Sequence, residues 1–252
     1  MRESNQRSHH MDAPWLPAAT ALFLDFDGTL AELTARPGDV VVPDDLPALL
    51  MALHNHFDGA VGIVTGRRLE DIDRRLAPVR LAGAGLHGAE LRTLAEGDIR
   101  RVGETDRLQP IIAKLRARFG DDPRILVEDK GAGVSLHFRL APDRAAECRQ
   151  VMREAATSPS LKIIDGNAVV EALPAGVDKG RAMRILLGVE PFRGRQPVFV
   201  GDDRTDEDGF AAVAACGGFG VKVGTGDTIA PYRLAGVGAV YAWLHASLHA
   251  CE

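Results

Sequence analysis

Short apolar runs alternate with amphipathic segments along most of the chain, and this pattern predicts a parallel β-sheet covered by helices. The apolar runs contain few polar residues, as expected of strands that are buried on both faces. The segments between them repeat apolar residues at helical spacing. We predict strands over residues 21–24, 59–64, 81–84, 197–200 and 219–223, and helices over residues 46–56, 69–76, 180–187 and 206–214.

The pattern changes between these two blocks and predicts the order helix–strand–strand–helix–strand–strand. These elements are expected over residues 108–119, 124–128, 133–139, 144–155, 161–165 and 168–173. Asp165-Gly166-Asn167 is typical of a hairpin turn between the last two strands. We therefore predict an α/β fold, with a doubly wound, Rossmann-like parallel sheet core and an inserted α+β (αββαββ) cap domain. The core would comprise residues 18–104 and 177–252, the cap residues 105–176, and a flexible leader residues 1–17.

Composition and charge argue against several classes of function. The 252-residue chain has a net charge of −5 and no basic stripe, so nucleic acid is not an expected partner. No apolar run approaches the roughly 20 residues that cross a bilayer, and the N-terminus lacks the apolar region of a signal peptide. We expect a cytoplasmic monomer or weak oligomer without a membrane role, in which Cys148, Cys216 and Cys251 stay reduced.

The first apolar run ends in two carboxylates, Asp25 and Asp27, which are followed by Gly28 and Thr29. Alternate residues of a strand share a face, so the two carboxylates are expected to point the same way. Two like charges at that distance are unfavourable unless a cation or a shared proton relieves them. The pair therefore suits a nucleophile and a proton-transferring group beside a metal ion. The alternative interpretation is that Asp25 and Asp27 are simply two acidic residues at the start of a surface loop.

Thr65 and Lys179 are suited to binding a phosphate group. Thr65 follows a predicted strand, and its hydroxyl and neighbouring N–H groups can hold phosphate oxygens, although a threonine there can also cap the next helix. Lys179 begins a predicted helix and can neutralise an anionic intermediate. Taken alone, this lysine would more often be a solvated surface residue.

Another apolar strand ends in Gly201-Asp202-Asp203. Thr205 and Asp208 resemble a capping box for the following helix, but that interpretation does not explain Asp202 and Asp203. We interpret these two carboxylates as candidate magnesium ligands. All of these motifs lie at the carboxyl ends of predicted strands or beside them, where a doubly wound sheet binds its ligands.

The motifs together resemble the four-motif set of the haloacid-dehalogenase-like phosphohydrolases. The matching segments are Asp25-Phe26-Asp27-Gly28-Thr29, Thr65-Gly66-Arg67, Lys179 and Gly201-Asp202-Asp203. More narrowly, the chain resembles the trehalose-6-phosphate phosphatases through shorter strings at residues 85–90, 128–130, 135–139, 170–171, 178–180 and 201–207. The chain departs from that family in the segment Thr29-Leu30-Ala31-Glu32, where the family often continues with a proline, and at the acidic Asp129 between Glu128 and Lys130.

The resemblance implies hydrolysis of trehalose 6-phosphate to trehalose and phosphate through a phosphoaspartyl intermediate, with Mg²⁺ as cofactor. Asp25 would be the nucleophile and Asp27 the acid–base group, while Thr65 and Lys179 would contact the phosphoryl oxygens. The resemblance implies that Asp25, Asp202 and the backbone carbonyl of Asp27 hold Mg²⁺, and that Asp203 or Asp206 orients Lys179 or a metal-bound water.

Recognition of the sugar is expected to come mainly from the cap. The substrate-binding candidates are Arg67, His87, Gly88, Glu128, Lys130 and Glu171. Two other functions remain open at this point. One is a phosphatase of the same superfamily that acts on another sugar phosphate, of the sucrose-phosphate or mannosyl-phosphoglycerate type. The other is a non-catalytic phosphosugar sensor, although a sensor would be expected to lack one of the catalytic carboxylates.

Overall fold

The structure is a computed structural model that describes residues 13–102 and 107–249. In chain order its strands are β1 (Thr20–Leu24), β2 (Val61–Val64), β3 (Ala82–Gly85), β4 (Glu90–Arg92), β5 (Arg100–Arg101), β6 (Leu126–Asp129), β7 (Val134–His137), β8 (Leu161–Gly166), β9 (Val169–Pro174), β10 (Gln196–Gly201), β11 (Phe219–Val223) and β12 (Tyr232–Leu234). Its α-helices are α1 (Leu46–His56), α2 (Leu69–Leu76), α3 (Gln109–Phe119), α4 (Ala145–Ala155), α5 (Lys179–Leu187), α6 (Glu207–Ala215) and α7 (Val237–His249).

The larger sheet has the strand order β12-β11-β10-β1-β2-β3-β4-β5. Its strands run parallel from β12 to β3, while β4 and β5 add an antiparallel edge. All five residues of β1 are buried, because this central strand is covered on both faces. The predicted doubly wound parallel sheet is therefore confirmed.

The smaller sheet is antiparallel, in the order β6-β7-β9-β8, and packs against α3 and α4. Its hydrophobic cluster includes Leu115, Phe119 and Leu136 and is separate from the cluster around the larger sheet. The six elements predicted for this region are all present, with bounds that differ by a few residues. The hairpin loop is Asn167-Ala168, one residue later than predicted, because Gly166 still pairs with Val169.

Four elements have no counterpart among the predicted ones: β4, β5, β12 and α7. Strand β4 contains Glu90 and Arg92, which are charged yet buried, so no apolar run marks it. Arg92 tolerates burial because it forms a bidentate ion pair with Asp73 at 2.6 and 2.7 Å. Helix α7 covers part of the larger sheet's core through Val240 and Leu244.

Residues 13–17, which the sequence analysis assigned to a flexible leader, pack against α7. Leu16 is buried, and the indole Nε1 of Trp243 donates to the carbonyl of Pro14 at 2.9 Å. The rest of the predicted leader and Cys251 lie outside the described residues. Within residues 13–102 and 107–249, no helix is both long and apolar enough to span a bilayer.

Candidate active site

Two carboxylates meet at the carboxyl end of the larger sheet because their strands are parallel neighbours. Asp25 follows β1 and Asp202 follows β10, and these strands pair in register up to Leu24 and Val200. The backbone N–H of Asp25 extends this pairing by donating to the carbonyl of Val200 at 2.9 Å. One carboxylate oxygen from each of Asp25, Asp202 and Asp206 lies within 4.8 Å of the others.

Lys179 lies in the first turn of α5 and reaches into this acidic cluster. Its Nζ lies 3.0 Å from Oδ1 of Asp25 and 2.6 Å from Oδ1 of Asp206, and its side chain is only 2% exposed. Burial alone would lower the pKa of Lys179, but the charges of Asp206 and Asp25 outweigh this effect and raise it. Lys179 is therefore a buried, permanently charged ammonium beside Asp25.

The remaining carboxylates are not fully compensated by this lysine. Burial, assisted by the charges of Asp206 and Asp202, raises the pKa of Asp25 well above its usual value despite Lys179. Burial and the charges of Asp206 and Asp203 raise the pKa of Asp202 to about 7. Such a surplus of buried carboxylate oxygens fits a hard divalent cation, which binds oxygen ligands and relieves their repulsion.

Gly28 leaves the room that this arrangement needs. Its φ angle is +76°, and a Cβ atom at this position would overlap the carboxylate of Asp202. A side chain here would therefore displace Asp202 from the cluster as well as strain the turn.

Asp206 has its two oxygens committed inside the protein. Oδ1 accepts from Lys179, and Oδ2 accepts from the backbone N–H of Asp203 at 2.9 Å. The second contact belongs to a capping box formed by Asp203 and Asp206, rather than by Thr205 and Asp208 as the sequence analysis predicted. The difference arises because a 3₁₀ turn at residues 204–206 begins the helix earlier. Of the two candidates, Asp206 is the one that contacts Lys179.

Asp27 lies apart from the three-carboxylate cluster and faces Arg67. Arg67 Nε and Nη2 donate to the two oxygens of Asp27, each at 2.7 Å. Thr65 lies two residues before Arg67, is fully buried, and accepts from the backbone N–H of Arg67 through its hydroxyl at 3.2 Å. Thr65 and Asp27 line the same cleft as Asp25.

The smaller sheet supplies a second polar cluster, centred on Glu171. Oε1 of Glu171 accepts from Lys130 Nζ at 2.7 Å and from the hydroxyl of Ser135, and Oε2 lies 2.8 Å from Nε2 of His87. Burial would raise the pKa of Glu171, but Lys130 and His87 hold it well below its usual range. Glu128 lies nearby and pairs with Nε2 of His137 at 2.8 Å.

Contacts between the two sheets hold these clusters face to face. Lys130 Nζ donates to the carbonyl of Gly66 at 3.1 Å, and His87 joins Glu171 from the side of the larger sheet. The backbone at His87 turns sharply, with positive φ angles at Leu86 (49°), His87 (53°) and Gly88 (105°). This turn presents the imidazole to the smaller sheet.

The two clusters enclose a cleft of about 380 Å³. Its lining includes most of the predicted site residues: Asp25, Asp27, Thr65, Arg67, His87, Glu128, Lys130, Glu171, Lys179, Asp202 and Asp203. Gly88 and Asp206 do not line this cleft. The sequence analysis missed Ser135, which the strand register places directly opposite both Glu128 and Glu171. It also missed His137, which lines the cleft as the partner of Glu128.

Comparison with known proteins adds independent information. A family model of trehalose-phosphatases matches residues 23–237. The chain is 40% identical over 235 residues to the trehalose-6-phosphate phosphatase of Escherichia coli (strain K12), covering 92% of this chain and 88% of that protein. It is 43% identical over 206 residues to a probable trehalose-phosphate phosphatase of Sinorhizobium fredii, covering 81% and 77% of the two chains. The crystal structure of a trehalose-6-phosphate phosphatase related protein superposes with a TM-score of 0.76 at 28% identity, covering 90% of this chain and 96% of that one.

Proposed function

Because the chain belongs to the trehalose-phosphatase family, we propose that it hydrolyses trehalose 6-phosphate to trehalose and inorganic phosphate. The observation that carries this proposal is the cleft in which Asp25 and its buried lysine face the Glu171 cluster of the smaller sheet. One side of the cleft offers a nucleophile and a cation for a phosphoryl group. The other side offers polar groups for a sugar.

In the first step an oxygen of Asp25 attacks phosphorus in line with the leaving group. The P–O bond to C6 of the sugar breaks, its electron pair stays on the sugar oxygen, and Asp27 supplies the proton. The Lys179 ammonium and the Thr65 hydroxyl would stabilise the phosphoryl oxygens, on which the transition-state charge is spread. The product of this step is a phosphoaspartyl group on Asp25.

In the second step a water molecule hydrolyses that group. Asp27, now a carboxylate, takes a proton from the water as its oxygen attacks phosphorus, and phosphate leaves Asp25. Asp27 is then protonated again, so the proton given to the sugar is recovered and the cycle closes. Asp206 keeps Lys179 charged and in place during both steps.

Mg²⁺ is the cofactor we propose for this site. Asp25 and Asp202 would hold it together with the backbone carbonyl of Asp27, and the uncompensated burial of the first two carboxylates supports this choice. When bound, the cation supplies positive charge that offsets the repulsion between the carboxylate nucleophile and the anionic phosphoryl group.

The smaller sheet and its helices would act as the cap that selects the substrate, over residues 105–176. Glu128, Lys130 and Glu171 present two carboxylates and an ammonium to the cleft, and a disaccharide offers many hydroxyl groups to such partners. Lys130 and Glu171 are buried and already paired with each other at 2.7 Å. A sugar therefore has to offer hydroxyl groups that replace or join these bonds, which disfavours a sugar that lacks them. We propose a phosphosugar of disaccharide size as the natural ligand.

The test is phosphate release from trehalose 6-phosphate, glucose 6-phosphate and sucrose 6-phosphate, with and without Mg²⁺, for the wild type and Asp25→Asn. We expect Mg²⁺-dependent preference for trehalose 6-phosphate, and no turnover in the variant because the nucleophile is lost. Preferential turnover of another sugar phosphate would contradict the substrate while keeping the chemistry. A folded wild type that hydrolyses none of the three would favour a sensor.

A further inference from the structure

The Arg67 guanidinium is held in place by hydrogen bonds within the protein. Besides its two bonds to Asp27, it donates from Nη1 to Asp71 at 2.8 Å and from Nη2 to the carbonyl of Pro37 at 2.9 Å. Four of the five N–H groups of a guanidinium are therefore used within the protein. The residue is only 8% exposed, and its guanidinium carbon lies 5.6 Å from the centre of the Phe26 ring.

The groups that Arg67 contacts away from Asp27 are themselves held in place. Asp71, which accepts from Arg67, also accepts from Arg75 Nε at 2.9 Å, and Arg75 Nη2 donates to the carbonyl of Pro37 at 3.2 Å. Burial would lower the pKa of Arg67, but hydrogen bonds and charges from Asp27 and Asp71 raise it. The guanidinium is thus a permanent charge with a fixed direction, set by α2 and by the loop around Pro37.

We propose that Arg67 is a positioning residue for proton transfer, which fixes the Asp27 carboxyl group towards the leaving sugar oxygen. This inference rests on the proposed function. When Asp27 gives its proton to that oxygen, the carboxylate that forms meets a guanidinium fork already in place. In the structure both oxygens of Asp27 accept from this guanidinium. In this role Arg67 acts through Asp27 and does not contact the sugar.

A comparison of leaving groups separates this role from substrate binding and from a structural role. The alkoxide that leaves from trehalose 6-phosphate needs a proton, whereas the phenolate that leaves from p-nitrophenyl phosphate does not. The ratio kcat/KM reports the steps up to phosphorylation of Asp25 and excludes the later hydrolysis. It is measured for both substrates in the wild type, Arg67→Gln, Arg67→Lys, Asp27→Asn and the double variant Asp27→Asn/Arg67→Gln.

We expect Arg67→Gln to lower kcat/KM for trehalose 6-phosphate by roughly a hundredfold, through a lower kcat rather than a higher KM. The same variant should lower kcat/KM for p-nitrophenyl phosphate by less than about threefold. Arg67→Lys should recover part of the loss, because an ammonium keeps the charge but not the fork. The double variant should be no slower on trehalose 6-phosphate than Asp27→Asn alone. Arg116→Gln is the matched control, because Arg116 is exposed on α3 and does not line the cleft.

Three results would overturn the inference. Equal losses on both substrates would make Arg67 a structural residue, and a rise in KM for trehalose 6-phosphate with kcat unchanged would make it a sugar ligand. Independent effects of Asp27→Asn and Arg67→Gln would show that Arg67 does not act through Asp27. If Arg67→Gln does not fold, Arg67→Lys and Asp71→Asn allow the same comparison. A wild type inactive on both substrates would refute the proposed function, and this inference with it.

Discussion

Buried charges on the smaller-sheet side of the cleft are compensated by groups of opposite charge, whereas the buried carboxylates on the larger-sheet side are not fully compensated. Glu171 has partners for both oxygens, and its pKa lies well below the usual range because Lys130 and His87 outweigh its burial. Asp25 and Asp202 have raised pKa values because burial and neighbouring carboxylates outweigh Lys179. A cation would therefore be stabilising beside Asp25 and Asp202, whereas Glu171 stays charged without one.

Metal removal should therefore change how stability depends on pH. A carboxyl group whose pKa is higher in the folded than in the unfolded protein binds extra protons when folded, so stability falls as pH rises between those values. For Asp202 this window runs from 3.8 to about 7. We expect thermal unfolding in EDTA to occur at a lower temperature at pH 7.5 than at pH 5, and Mg²⁺ to raise it most at pH 7.5.

Asp202→Asn is the matched variant, since it removes the charge and keeps the shape. Its melting temperature in EDTA should depend less on pH between 5 and 7.5, and its response to Mg²⁺ should be smaller. A wild-type protein whose melting temperature in EDTA rises over this pH range would contradict the assignment of uncompensated carboxylates to this cluster.

At the scale of elements, the site is assembled from strand ends and helix starts. Helix α5 is capped by Asp178, whose carboxylate accepts from the backbone N–H of Arg181 at 2.6 Å. This cap puts Lys179 in the first turn, where a cation opposes the helix dipole. The position is tolerated because Asp25 and Asp206 supply the opposite charge. The loop after β1 is equally specialised, since a Cβ atom at Gly28 would overlap the carboxylate of Asp202.

Replacing Gly28 by alanine tests this packing directly. The left-handed backbone alone should cost about 1–2 kcal/mol for a residue with a Cβ atom. Overlap with Asp202 adds a second effect, so Gly28→Ala should also lose most phosphatase activity and most of its stabilisation by Mg²⁺. The activity is measured as phosphate release, and the stabilisation by Mg²⁺ as the difference between melting temperatures with and without Mg²⁺.

Gly194→Ala separates the two effects, because Gly194 also has a φ of +76° but nothing lies within 4 Å of a Cβ there. This control should lose a similar amount of stability from backbone strain and keep the activity. Equal activity in the two variants would mean that Asp202 moves aside without loss, and the close approach at Gly28 would then carry no function.

At the scale of the whole molecule, the two sheets have separate hydrophobic clusters. Leu115 is fully buried in the cluster of the smaller sheet, and Leu53 is fully buried in that of the larger sheet. Both tryptophans of the chain, Trp15 and Trp243, lie outside the smaller sheet and its helices. Tryptophan fluorescence therefore follows the larger sheet, while far-ultraviolet circular dichroism follows both.

Leu115→Ala should lower the free energy of unfolding of the smaller sheet and its helices by about 2–5 kcal/mol, and Leu53→Ala that of the larger sheet and its helices by a similar amount. In urea, we expect Leu115→Ala to shift part of the dichroism transition to lower concentration and to leave the fluorescence midpoint nearly unchanged. Leu53→Ala should shift the fluorescence midpoint. Coincident transitions in Leu115→Ala would show that the two parts unfold as one cooperative unit.

The motifs at strand ends could be found from the sequence because their signal is local. An apolar run that stops at Asp25, or at Gly201 before Asp202, marks within a few residues a buried strand and the end at which a doubly wound sheet binds its ligands. Parallel pairing then brings these ends together, so the approach of Asp25 to Asp202 follows from the predicted sheet. The ion pair of Lys179 with Asp25 depends instead on where helix α5 packs. The substrate class came from resemblance and not from this pattern.

Tertiary structure alone decided the partners of these residues. Ser135 is an ordinary strand serine until the order of β6, β7 and β9 sets it between Glu128 and Glu171. Arg67 and Asp27 lie 40 positions apart, and no periodicity predicts their bidentate pair. Local patterns report burial and direction, whereas partnership between distant charged groups depends on how whole elements pack. That packing is a property of the folded chain.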